Sequence, residues 1–401
     1  MINSGNALKE QTITGVHYRT GEPLTVRIQN GYISQLIPYP EASNSLPFIG
    51  PGLTDLQVNG FQGIDVNSDT LTVDDLYRLT RALWAYGVTA YFPTVITNTD
   101  SRMIKALETI RDACQRYPLV KACLGGIHLE GPFISPQDGP VGAHPKAYVK
   151  APDWPLFKQL QAASGNQIKL ITLSPEWPDS ADFISRCVAT GVVVSIGHTA
   201  ATPEQIRQAV EAGARMSTHL GNGSHQLLPR HPNYIWEQLA QDDLTACLIA
   251  DGFHLPDAVL KVVMKVKEKK AILVSDSVGL AGCPPGQYTT HIGGNVVLTA
   301  EGKLHVAGST TVLAGSAQPL LWGIQHLLTR NLGTLGQVWD MGSIGPSRSL
   351  GLPQQQGLAV GAPADLVTFD QTAEVLQILE TYKQGVLVYH HSETTFANSV
   401  L

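Results

Sequence analysis

Leu124-Gly125-Gly126-Ile127-His128-Leu129-Glu130-Gly131-Pro132-Phe133 is an apolar run that ends in an acidic residue and a Gly-Pro turn. That pattern is a buried strand delivering a carboxylate to a loop. A buried carboxylate is costly unless it is paired or bound to a metal, so partners are expected elsewhere in the chain. Three other apolar runs close in the same way. Val192-Val193-Val194-Ser195-Ile196-Gly197-His198-Thr199 and Ala214-Arg215-Met216-Ser217-Thr218-His219-Leu220 each deliver a histidine, and Ala271-Ile272-Leu273-Val274-Ser275-Asp276-Ser277 delivers an aspartate. One Glu, two His and one Asp at the ends of separate strands is the pattern of a metal hydrolase site at the rim of a parallel barrel.

Around these four runs, strand-like and helix-like segments alternate from Pro51 to about Leu350, which argues for βα units. Strands are expected to begin near Leu53, Val88, Val120, Ile168, Val192, Arg215, Thr245 and Ala271, with helices such as 72–86 and 101–117 between them. The second of these helices repeats Ile104, Leu107, Ile110 and Ala113 at helical spacing. Eight such units predict a TIM (β/α)8 barrel over residues 51–350; a doubly wound open sheet is the structural alternative. Residues 288–306, alternating around Gly293-Gly294 and Glu301-Gly302, predict β-hairpins inserted before the last helix.

Both ends of the chain alternate differently. Residues 11–49, and later the runs at 364–369, 375–379 and 385–389, follow the period-two pattern of short antiparallel strands. Residues 1–50 and 351–401 are therefore expected to build one small β-sandwich domain. The chain has 401 residues and a formal charge of −6, and this mild acidity argues against nucleic acid or an anionic membrane as partner. Met1 to Lys9 lacks the basic flank and apolar core of a targeting segment, and no apolar run approaches membrane-spanning length. Five scattered cysteines fit free thiols in a reducing compartment, so a cytoplasmic protein is expected.

Glu130, His198 and His219 make a ligand set that suits zinc and leaves a coordination position for water. Iron or another divalent ion accepts the same donors. Taken singly, a strand-end histidine satisfies a backbone carbonyl about as often as it binds a metal. Asp276 is placed to take a proton from water and return it to a leaving amine, although an aspartate there also suits a helix N-cap. Gln57 and Asn59 on the first strand are neutral amides and poor ligands, which implies one metal ion per chain. The expected chemistry is amide or ester hydrolysis.

With Pro51-Gly52-Leu53-Thr54-Asp55-Leu56-Gln57-Val58-Asn59-Gly60, His128-Leu129-Glu130-Gly131-Pro132, Gly197-His198-Thr199, Thr218-His219-Leu220, Asp251-Gly252-Phe253-His254, Ser275-Asp276 and Leu313-Ala314-Gly315-Ser316 in this order, the chain resembles the N-acetylglucosamine-6-phosphate deacetylases of the amidohydrolase superfamily. The resemblance runs from about Thr12 to Asp370. It implies a single metal held by Glu130, His198 and His219, with Gln57 and Asn59 behind them holding water. It also implies sugar contacts from Ala143 and His144, from Asn222 and Gly223, from His254, and from the Leu313-Ala314-Gly315 backbone. Arg230 matches the family's phosphate-binding arginine, which reaches into a neighbouring subunit's site, so a homodimer or higher oligomer is implied. The implied activity is removal of acetate from N-acetylglucosamine 6-phosphate in amino sugar metabolism. Alternatives are another N-acetylhexosamine, such as the galactosamine epimer, or a different N-acyl or cyclic amide. Two stretches depart from the family: Ser224 to Trp236 adds two histidines and two aromatics around Arg230, and Gly345-Pro346-Ser347 stands in place of Asn-Pro-Ala.

Overall fold

The computed structural model describes residues 10–40, 45–290, 294–372 and 375–391. Met1 to Lys9 and Gly293, which entered the readings above, lie outside the described residues, as do the last ten residues of the chain.

Eight strands form a ring: β1 (Leu53–Val58), β2 (Val88–Ile96), β3 (Ile127–Glu130), β4 (Ile168–Leu173), β5 (Val193–Ile196), β6 (Met216–Ser217), β7 (Thr245–Leu248) and β8 (Ala271–Leu273). Each pairs in parallel with the next, and a parallel bridge from Val58 to Ser277 closes the ring. All nine positions of β2 are buried, as expected where helices cover one face of a strand and the barrel interior the other. Helices return the chain between strands, and their starts follow the local chemistry. Thr72 caps the helix Val73–Trp84 by accepting from the Asp75 N–H, while the Asp75 carboxylate accepts from the Thr72 N–H, a reciprocal capping box.

One strand start differs from the sequence reading. Val120 lies in a short helix, Pro118–Cys123, and β3 begins only at Ile127. Proline at the first helical turn loses no hydrogen bond there, which favours the helix. Gly126 then passes where a Cβ would come within 2.7 Å of the Lys169 side chain and 2.8 Å of Phe92.

The terminal strands form one sheet in the order 386–390, 376–383, 366–371, 48–51, 11–17, 23–29, 32–38. A bridge from Tyr32 to Pro363 brings its two arms together over a core that includes Ile13, Val26, Ile28, Ile33, Ile49 and Leu366. The opposite face seats the sheet on the barrel. Phe369 stacks on Trp339 with ring centroids 4.2 Å apart and planes 7° apart, and fully burying such a side chain stabilises by roughly 1.5–3 kcal/mol. Beside it, the buried Lys383 Nζ donates to Asp365 Oδ2 at 2.7 Å and to the carbonyl of Thr89, the second residue of β2, at 3.0 Å.

The inserted hairpin strands, Gly286–Thr290, Gly294–Leu298 and Leu304–Val306, form a separate antiparallel sheet with its own small core of Val296, Leu298, Leu304 and Ala317. Among the described residues no helix is long and apolar enough to cross a membrane.

Candidate active site

The C-terminal ends of the barrel strands open into one chamber of about 500 Å³. Glu130 ends β3, and His198, His219 and Asp276 each follow the last residue of β5, β6 and β8 by two or three positions. These last three have φ of +48°, +28° and +49°, a left-handed conformation that costs an L-residue on the order of 1–3 kcal/mol. The reversal turns each side chain from the strand direction towards the barrel axis, and it is tolerated because the packed barrel over-determines the backbone around it.

Three atoms converge. Glu130 Oε1 lies 3.2 Å from His198 Nε2 and 3.1 Å from His219 Nε2, and the two Nε2 atoms are 3.1 Å apart. His198 Nδ1 donates to the Pro140 carbonyl at 2.8 Å, so its Nε2 carries a lone pair. A carboxylate oxygen and two imidazole nitrogens at these mutual distances fit a divalent cation bound between them. His144 also comes within reach: Glu130, His144 and His198 each offer an atom within 4.8 Å of the others. The tighter triangle is that of Glu130, His198 and His219, and His144 is engaged elsewhere, with Nδ1 2.9 Å from Thr97 Oγ1 and its ring edge-on to His198.

Amides support this triangle from below. Gln57, 1% exposed, donates from Nε2 to Glu130 Oε1 at 3.0 Å. Asn59 Nδ2 donates to Asp276 Oδ1 at 2.7 Å. Deeper in the barrel, His128 Nδ1 donates to the Leu56 carbonyl, Nε2 accepts from Thr172 Oγ1, and Thr218 and Ser195 extend the chain of hydroxyls. This network fixes strands β3 to β6 beneath the ligands.

The electrostatics separate two carboxylates. Burial pushes Glu130 up, but the His198 and His219 imidazoles overcome it and hold the carboxyl well below the usual range. Asp276 goes the other way: burial first, and then the Glu130 charge, push it up to about 6. Burial drives His144 down to about 3, so it is a neutral ring at physiological pH.

Of the residues singled out in the sequence, Asn59, Glu130, Ala143, His144, His198, His219, Asn222, Gly223, His254, Asp276, Leu313, Ala314 and Gly315 all line this chamber. Gly223, at φ +54°, permits a close approach, since a Cβ there would lie 2.7 Å from His198 Nδ1. Arg230 is not among the lining residues. It is exposed on the loop between His219 and the helix Tyr234–Ala240, near the exposed Leu227 and Trp236. His225 is tied into the same loop, its N–H donating to Tyr234 Oη at 2.8 Å.

The structure adds lining residues that the sequence reading did not assign: Asp65, Asn67 and Ser68 from the loop after β1, and Thr289, Thr290 and Leu304 from the inserted hairpins. Among the described residues no lysine or arginine lines the chamber. Asp251 has no site role in the sequence reading, although it closes the apolar run after β7 as Asp276 closes that of β8. The same strand-end signal would have found it.

The amidohydrolase family profile matches residues 48–389. N-acetylglucosamine-6-phosphate deacetylase from Bacillus subtilis (strain 168) is 32% identical over 330 residues, covering 81% of this chain and 81% of the relative. N-acetylgalactosamine-6-phosphate deacetylase from Escherichia coli O157:H7 is 31% identical over 361 residues, covering 88% and 92%. The solved structure of N-acetylglucosamine-6-phosphate deacetylase from Pasteurella multocida superposes with a TM-score of 0.82 at 26% identity, covering 94% of this chain and 99% of that one.

Proposed function

Because this chain belongs to the amidohydrolase family and, within it, to the N-acetylglucosamine-6-phosphate deacetylases, we propose that it hydrolyses the acetamide of N-acetylglucosamine 6-phosphate to the free amine and acetate. The observation that carries this reading is the convergence of Glu130, His198, His219 and Asp276 at the mouth of one chamber.

Glu130, His198 and His219 are the residues that would hold a divalent cation, with zinc the first expectation from a carboxylate and two imidazoles. Such an ion, when bound, supplies Lewis-acid polarisation of the acyl carbonyl. Asp276 accepts a proton from the attacking water, and its raised proton affinity suits it to return that proton to the departing amine nitrogen. Asn59 orients Asp276 through the 2.7 Å hydrogen bond, and Gln57 orients Glu130. His144, His254, Asn222 and Gly223 contact the sugar, with Ala143 and the Leu313-Ala314-Gly315 segment closing around it.

A phosphate dianion needs a cation, and among the described residues this chain's chamber wall contributes no lysine or arginine. We place Arg230 of a second copy there, which makes the working unit a homodimer at least; the exposed Leu227 and Trp236 beside Arg230 supply apolar surface for that contact. The setting is read as the cytoplasm, in keeping with five free cysteines.

Acetate release from N-acetylglucosamine and N-acetylgalactosamine, each with and without 6-phosphate, tests the reading. Fastest turnover of N-acetylglucosamine 6-phosphate is expected. Preference for the galactosamine epimer would move the substrate to that of the Escherichia coli relative, and no acetate from any of the four would refute the deacetylase reading.

A further inference from the structure

Asp251 lies three residues past β7, and its side chain is 4% exposed. Its Oδ1 accepts two backbone N–H groups, from Phe253 and His254, both at 2.9 Å. Its Oδ2 accepts from His254 Nδ1 at 2.7 Å. Its own carbonyl is held by Trp322 Nε1 at 3.2 Å, so backbone and side chain are both clamped. Burial alone would push the carboxyl up, but His254 and the two N–H groups win and keep it below the usual carboxylate range. An ionised carboxylate has no proton to give, so the proton on the short contact belongs to the imidazole. His254 lines the chamber, and its Nε2 has no hydrogen-bond partner among the described residues.

We propose that Asp251 is a positioning residue for the deacetylation: it locks the His254 ring with Nδ1 protonated, so that Nε2 meets the substrate with a lone pair and accepts a sugar O–H or amide N–H. The proposal rests on the reading of His254 as a sugar contact. It gives the Asp-Gly-Phe-His segment a division of labour, in which Asp251 never touches substrate and acts only through the ring it holds. An imidazole left free would divide between two tautomers and several orientations, and only one of these presents an acceptor to the chamber.

Asp251→Asn tests this with little change of shape. The carboxamide oxygen keeps the two backbone N–H bonds, while its NH2 faces His254 Nδ1 and forces the proton to Nε2, turning an acceptor into a donor. A fall in kcat/KM of about 10- to 100-fold is expected, the scale of one reversed hydrogen bond in a buried site, with metal content and melting temperature near wild type. Asp251→Glu, which keeps the carboxylate, should recover part of the loss. In a His254→Ala background Asp251→Asn should cost nothing further, because there is no ring left to orient. Nitrogen-15 chemical shifts of His254 in the wild-type protein without substrate should report Nδ1–H, and in Asp251→Asn Nε2–H. An Nε2–H ring in wild type, or an equal loss from Asp251→Asn with and without His254, would overturn the proposal. The tautomer reading needs no turnover, so it stands or falls separately from the deacetylase reading.

Discussion

Gln57→Leu isolates the contribution of an amide that sits behind the proposed metal site. Gln57 is 1% exposed, and its side chain donates from Nε2 to Glu130 Oε1 at 3.0 Å. Leucine keeps most of the volume and removes the donor. A hydrogen bond to a charged group is worth about 1.5–3 kcal/mol, which at about 1.4 kcal/mol per decade is roughly 10- to 100-fold in metal affinity. Loss of a partner that orients a metal ligand falls in the same range, about 10- to 100-fold. Competition of the protein against a chelating indicator, with zinc as the probe, measures this directly. Wild type should bind one equivalent, since neither Gln57 nor Asn59 adds a ligand for a second ion. Gln57→Glu tests the sign: a carboxylate 3.0 Å from Glu130 Oε1 would repel it by about 5 kcal/mol at an effective dielectric of 20, so this variant should need metal to fold. Unchanged zinc affinity in Gln57→Leu, or two tight equivalents in wild type, would refute the reasoning.

Four further outcomes are expected. Asp276→Asn should keep fold and metal while lowering turnover at least about a hundredfold. Because the base must be ionised and burial pushes Asp276 up to about 6, wild-type kcat/KM should fall as pH drops through that region, or lower once a bound cation favours the carboxylate; a profile flat down to pH 4 would place proton transfer elsewhere. Arg230→Ala should weaken a phosphorylated substrate by roughly 2–4 kcal/mol and leave the unphosphorylated sugar nearly unaffected, with Lys restoring only part; equal losses on both would make Arg230 structural. Lys383→Met strands Asp365 as a buried unpaired charge, the two side chains being 1% and 2% exposed, and should cost about 3–5 kcal/mol in urea denaturation; adding Asp365→Leu should recover much of it, and a neutral single variant would show that water reaches the pair.

Periodicity and strand ends make the barrel and its rim legible in the amino acids alone. A parallel strand buried on both faces must be apolar along its length, so the residue at which it stops being apolar marks the barrel rim. That grammar located Glu130, His198, His219 and Asp276 and seven of the eight strand starts within about a residue. It misplaced the start of β3 because Val120 is apolar in either a helix or a strand, and only the packing of Gly126 against Phe92 and Lys169 decides where the strand can run. The same period-two alternation marked the terminal strands, but their pairing into one sheet depends on contacts across more than three hundred residues.

The tertiary structure decided direction and distance. Nothing local announces positive φ at His198, His219 and Asp276; it is imposed where barrel and loops meet, and it is what aims three side chains at one point. That His144 bonds Thr97 and stands edge-on to His198, that Asp65 enters the chamber, and that Arg230 stays outside it are likewise set by how separate loops pack over the rim. Residue type and spacing carry the chemistry a chain can perform, whereas the geometry of a site assembled from distant strand ends exists only once the ring has closed.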